Sequence, residues 1–178
     1  MKSHCLLTAL ILIPFLSFAQ ENPEPKTAEH PFFKAAAGKW IEEGVVVPNA
    51  NSQPIEGKAV SVTAPVLDGI WVQQDGMAEY GPIRWKYRWM FRVKILDGKE
   101  QIYALYIDSM GQQIQYFGNY DADAKRIQLV GKLPDGGEGR SQVTIQDNGT
   151  LLIQSVLVNP QGETGVRYQA EARRPKEE

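Results

Sequence analysis

A chain of 178 residues, 43% hydrophobic and 22% charged, has the make-up of one globular domain with a substantial core, and is too short for two. Its formal charge of −2 and pI near 5.8 weigh against a nucleic-acid binder, which is basic over the whole domain.

Residues 1–19 read as a secretory signal: Lys2 in a short amino region, the apolar run LLTALILIPFL, then Ser17-Phe18-Ala19 with small residues at −3 and −1. Cleavage is expected before Gln20, and the product is expected in the periplasm or outside the cell. The apolar run falls short of the roughly 20 residues a bilayer span needs, so no membrane span is expected. Cys5 lies before the run, the wrong side for a lipid anchor, and leaves with the signal. The mature chain then has no disulfide, thiolate nucleophile or cysteine ligand, and must rest on its core.

Residues 20–30, QENPEPKTAEH, are rich in Pro and Glu and read as a flexible leader. HPFFKAAAGKW predicts a helix of about two turns, with Pro31 in its first turn and Gly38 just beyond its end. So short a helix must lean on the rest of the fold.

After Trp40 the pattern changes to strands. Turn signals such as LDG, YGP, LDGK, SMGQ, YDADAK and LPDGGEG separate runs rich in Val, Ile, Tyr, Trp and Thr. The runs predict ten strands, near 39–48, 57–65, 69–79, 83–96, 100–109, 112–121, 125–133, 140–147, 150–159 and 164–174. No helix intervenes, so parallel crossovers are excluded, and the short links favour an up-and-down antiparallel barrel over 31–174 with a tail at 175–178.

The fourth run, RWKYRWMFRVK over 84–94, shows the faces of that barrel. Trp85, Tyr87, Trp89, Phe91 and Val93 alternate with Arg84, Lys86, Arg88, Arg92 and Lys94, which assigns the aromatics to the interior and the cations to solvent. Asp97-Gly98 predicts a two-residue hairpin loop pairing Leu96 with Lys99. That register sets Phe91 opposite Ala104, Trp89 opposite Tyr106 and Tyr87 opposite Asp108. If Gly81-Pro82 is a two-residue loop too, Glu79 faces Arg84 and Asp75 faces Arg88.

The segments AGKWIEEGVV, LDGIWVQQ and YIDSMGQQIQYFGNYDADAKRIQLVG resemble the bacterial family called domain of unknown function 1579. The likeness rests on Gly38-Lys39-Trp40, on Asp108-Ser109-Met110 and on Gly118-Asn119-Tyr120-Asp121, and it covers most of residues 32–172. It implies a lipocalin-like closed barrel and carries no activity, hence no catalytic residues. Gly-x-Trp after a short helix also resembles the opening of lipocalins and haem-binding nitrobindins. That resemblance implies that Gly38 and Trp40 form the barrel floor, with Arg167 or Arg173 stacking on the indole.

Chemistry that needs particular ligands finds little support. His30, the one histidine left after cleavage, precedes the helix and lies outside the barrel, so neither haem nor another cofactor is expected. No His/Cys cluster calls for zinc, and Asp121-Ala122-Asp123 lacks the glycine and glutamate of a calcium loop. No Gly-x-Ser-x-Gly elbow is present, and LPDGGEG has neither the Lys nor the helix of a phosphate loop. Asp108, on the inward face at a strand end, has two readings: a turn cap, or a carboxylate that orients a ligand or acts as acid or base.

The expected function is a barrel that holds a small, largely apolar or amphipathic molecule against Trp85, Tyr87, Trp89, Phe91, Tyr106 and Asp108. Two rivals stand beside it: a cavity isomerase or hydrolase using Asp108 and the tyrosines, and an envelope interaction module with a filled interior. Oligomeric state is left open.

Overall fold

Strong β-formers punctuated by turn residues, with no long helical segment among them, leave neighbouring strands to pair in order. In the computed structural model, which describes residues 25–176, ten antiparallel strands close into one barrel. They are β1 (Gly38–Val47), β2 (Ile55–Val66), β3 (Trp71–Tyr80), β4 (Ile83–Leu96), β5 (Lys99–Asp108), β6 (Gln113–Asp121), β7 (Arg126–Lys132), β8 (Glu138–Ile145), β9 (Leu151–Val158) and β10 (Thr164–Arg173). Each strand pairs with its sequence neighbours, and β1 pairs with β10 to abolish the edges. The signal expected at 1–19 lies outside the described residues.

The hairpin loops set the register as their chemistry requires. Asp97 and Gly98 both take positive φ, 51° and 72°, the pattern of a type I′ turn. Leu96 faces Lys99, Trp89 faces Tyr106 and Tyr87 faces Asp108. At the preceding loop Gly81 takes φ 55°, and Pro82, whose ring holds φ negative, suits the second position of a loop that begins this way. Asp75 therefore faces Arg88, and Glu79 faces Arg84. Both pairs close as ion pairs on the outer wall, at 2.7 Å and 2.6 Å. Farther along β4, Arg92 and Lys94 lie over the outward rings of Trp71 and Tyr103. The cations of β4 thus face solvent and the aromatic set faces the interior.

One end of the barrel is closed by α1 (Pro31–Ala36), whose Phe32, Phe33 and Ala36 are buried. His30 caps α1: its Nδ1 accepts from the Phe32 amide, so its Nε2 carries the proton and donates to Glu100 at 3.0 Å. The imidazole also packs edge-on against Tyr120. It is a satisfied structural histidine at the closed end.

The flexible leader expected over 20–30 is ordered at its far end. Thr27–Glu29 form a 3-10 turn, and Thr27 is fully buried. Its hydroxyl donates to the Ile70 carbonyl, just before β3, and accepts from the Val93 amide, beyond the last β3–β4 pair at Val72 and Phe91, so it links the two strands where their ladder stops.

Trp40 is the floor. Its indole is 1% exposed and its Nε1 donates to the Ala36 carbonyl at 2.8 Å, tying α1 to β1. The arginine over it is Arg174, 4.4 Å from the ring, and neither Arg167 nor Arg173. Parity explains the correction. Tyr168, Ala170 and Ala172 point inward from β10, while Arg167 and Arg173 fall on the alternate, outward set. Arg173 pairs with Glu43 on the outer wall, and Arg167 is exposed opposite Val47. Arg174 passes over Gly38, where a β-carbon would collide with its guanidinium, and donates to the Ala35 and Ala37 carbonyls left open at the end of α1.

Candidate functional site: the barrel cavity

Inward-facing positions decide what the barrel holds. Near α1 they are large and apolar: Phe33, Val72, Phe91, Val93, Ile102, Ile114, Ile127 and Leu129 form one cluster. Toward the other end, Val46, Ala59, Ala78 and Tyr80 form a second, with Trp85 and Tyr168 against it. Between them remains a cavity of about 210 Å³. Gln112, in the exposed β5–β6 turn, is part of its lining and marks an opening to solvent at the end away from α1.

Five of the six residues expected to bind a ligand line this cavity: Trp85, Tyr87, Trp89, Phe91 and Tyr106. They are joined by ring contacts. Trp89 stacks on Phe91 at 5.6 Å and meets Tyr106 at 4.9 Å, and Tyr106 stacks on Tyr87 at 6.5 Å. Tyr116 extends the wall, 5.2 Å from Trp89. Its ring fits because Gly131 and Gly139 lie beside it on β7 and β8, where any β-carbon would strike it.

Asp108 does not line the cavity. Its Oδ1 accepts from the amides of Met110 and Gln112, closing the β5–β6 turn, and its Oδ2 accepts from the Tyr106 hydroxyl at 3.0 Å. Of its two readings, the turn cap describes the geometry, and the carboxylate also holds Tyr106 in place. The physical reason is proximity: two backbone donors within four residues outcompete a distant guest for the same oxygen.

The carboxylate inside the cavity is Glu42, only 3% exposed. Oε1 accepts from Ser61 at 2.9 Å and from the Tyr87 hydroxyl at 2.8 Å, while Oε2 accepts from the Tyr168 hydroxyl at 2.8 Å. A second layer feeds the first: Gln74 donates to Ser61, and Tyr80 donates to Tyr168. In register, Ser61 lies between Trp40 and Gly76, and Gly76 faces Tyr87. The Tyr87 ring lies over Gly76, where a β-carbon would overlap it, and so reaches the β1 wall.

Burial dominates the acidity of these phenols. It pushes Tyr87 and Tyr168 well above the usual tyrosine range, with the charge of Glu42 adding to the effect. Burial and Asp108 do the same for Tyr106, and burial alone pushes Tyr116 up to about 12. All four remain protonated at neutral pH, and Tyr87, Tyr168 and Tyr106 act as hydrogen-bond donors rather than bases.

Sequence reading did not single out Glu42, Tyr168, Ser61, Gln74 or Tyr116. A signal existed for the first: with Trp40 inward on β1, alternation also places Glu42, Gly44 and Val46 inward. The meeting of Glu42 with Tyr168, 126 residues away, had none.

Comparison with known proteins adds a family and a fold. The family model described as protein of unknown function (DUF1579) matches residues 25–174. Among solved structures, an S-type phycobiliprotein lyase from Guillardia theta superimposes with a TM-score of 0.60 at 10% sequence identity, over 83% of this chain and 92% of that one. At that identity the likeness is one of fold. No curated protein matches.

Proposed function

The chain belongs to the DUF1579 family, which brings a domain but no activity, and from that premise we propose that it is an exported barrel holding a small, largely apolar molecule in its interior. The observation that carries this reading is the aromatic cavity of about 210 Å³, lined by Trp85, Tyr87, Trp89, Phe91, Tyr106 and Tyr116 and open beside Gln112. An apolar cavity of about 150 Å³ suffices for benzene, so the guest is on the scale of a single substituted ring. Ligand pockets for larger molecules run from roughly 300 Å³ upward. The lyase named above shares the barrel; its activity stays with it.

The cavity-enzyme reading receives less support. Asp108 is engaged by its turn and by Tyr106, and burial raises the tyrosines, the direction opposite to that a general base needs at neutral pH. A filled interaction module fits poorly with an interior that retains open volume.

Toluene tests the binding reading. It should bind with a negative heat-capacity change and quench tryptophan emission, because Trp85 and Trp89 line the cavity. Trp89→Ala should alter the affinity, and Arg84→Gln on the outer wall should leave it alone. Equal effects from both variants would mean adsorption to the surface, and absence of binding would refute the reading. Export rests on the amino-terminal pattern of residues 1–19. Amino-terminal sequencing of the mature protein should start at Gln20, or be blocked by its cyclisation; a mature chain that retains Cys5 would exclude it.

A further inference from the structure

The carboxylate of Glu42 has no countercharge in the cavity. Among the residues lining it there is no Lys, Arg or His, and Glu42 is the only acid. An isolated charge taken out of water is costly unless something compensates it. The compensation present is entirely from hydrogen-bond donors. Ser61, Tyr87 and Tyr168 all donate to the carboxylate, and Gln74 and Tyr80 donate in turn to Ser61 and Tyr168. Ser61, Tyr87 and Tyr168 thus surround the carboxylate with hydroxyl groups in place of a cation.

Three donors leave part of the acceptor capacity of two carboxylate oxygens unused, and Glu42 forms part of the cavity lining. The opposite part of the lining is a wall of π faces, Tyr87, Tyr106, Trp89 and Tyr116, in continuous ring contact. Tyr87 belongs to both, donating to Glu42 through its hydroxyl and stacking on Tyr106 through its ring. A buried carboxylate in a cavity walled by indole and phenol rings is the complement of an organic cation: the carboxylate supplies the countercharge and the rings supply cation–π attraction.

We propose that the cavity selects a ring-sized molecule bearing a protonated amine, with the ammonium seated at Glu42 and the apolar body against Trp89 and Tyr106. This rests on the interior-binding reading above and adds the charge of the guest. A neutral guest of the same shape fills the apolar space and leaves the carboxylate without a counterion.

Benzylammonium and benzyl alcohol form a matched pair for the test, equal in size and both able to donate a hydrogen bond. Calorimetry on the full mature chain should show benzylammonium binding at least about tenfold more tightly than benzyl alcohol. Glu42→Gln should abolish that preference, because benzylammonium loses its countercharge while the amide oxygen still offers benzyl alcohol an acceptor. Equal or weaker binding of benzylammonium by the wild type would overturn the proposal without any variant, as would a preference that survives Glu42→Gln. If toluene and benzyl alcohol bind while benzylammonium does not, the cationic guest is excluded and the interior-binding reading stands. If none of the three enters, both fall.

Discussion

Trp40→Ala should destabilise the protein by about 3–5 kcal/mol, the range for truncating a fully buried aromatic side chain. Three losses act together. A cavity opens under α1, the Ala36 carbonyl loses its indole donor, and Arg174 loses the ring on which its guanidinium rests. For a domain of this size, about 1 kcal/mol shifts the melting temperature by roughly 2–4 °C, so the midpoint should fall by the order of 10 °C. Arg174→Ala should cost less, about 0.5–2 kcal/mol, because it removes the cation–π contact and the carbonyl donors but leaves the plug. Urea titration of both variants checks the order. A Trp40→Ala protein that melts with the wild type would show that α1 and the floor contribute little to the fold.

Gly76→Val is expected to be nearly as damaging, although valine is the better strand former. Strand propensity favours the substitution by at most about 1 kcal/mol. Against it, the new side chain overlaps the Tyr87 ring, and overpacking costs about 1–3 kcal/mol. If the ring moves away, its hydroxyl leaves Glu42, and a hydrogen bond to a charged group is worth about 1.5–3 kcal/mol. The unfavourable effects win, with a net loss of roughly 2–4 kcal/mol. A double-mutant cycle identifies the cause. Tyr87→Phe should be costly in the wild type and close to neutral in the Gly76→Val background, because there the hydroxyl has already left its partner. Strict additivity of the two changes would show that Gly76 matters for some reason other than the passage of Tyr87.

Much of the barrel was legible in the chain because its determinants are local. The predicted strand over 83–96 coincides with β4, and the other nine runs differ from the observed strands by a few residues at their ends. Asp97-Gly98 brought the registers of Trp89 with Tyr106 and Tyr87 with Asp108, since a two-residue loop leaves no freedom in how its flanking strands align. Alternation in RWKYRWMFRVK then distinguished the wet face from the dry one. Asp108 was harder, because a residue at a strand end is inward by parity but within reach of its own turn amides, and the amides prevailed.

The sequence by itself determined the strand spans, the hairpin registers, the inward aromatic set of β4 and the place of Trp40, all of which depend on residues within one strand or across one short loop. Closure decided the rest. Neither the register of β1 against β10 nor the path of Arg174 over Gly38 is set by any turn, because about 130 residues separate the partners. Only the closed barrel brings Glu42 of β1 together with Ser61 of β2, Tyr87 of β4 and Tyr168 of β10. Single-chain alternation reports which way a side chain points, whereas its partner inside a barrel depends on strand tilt and on the sizes of the side chains between them. Gly76, where any β-carbon would overlap the Tyr87 ring, is what lets that phenol reach the carboxylate.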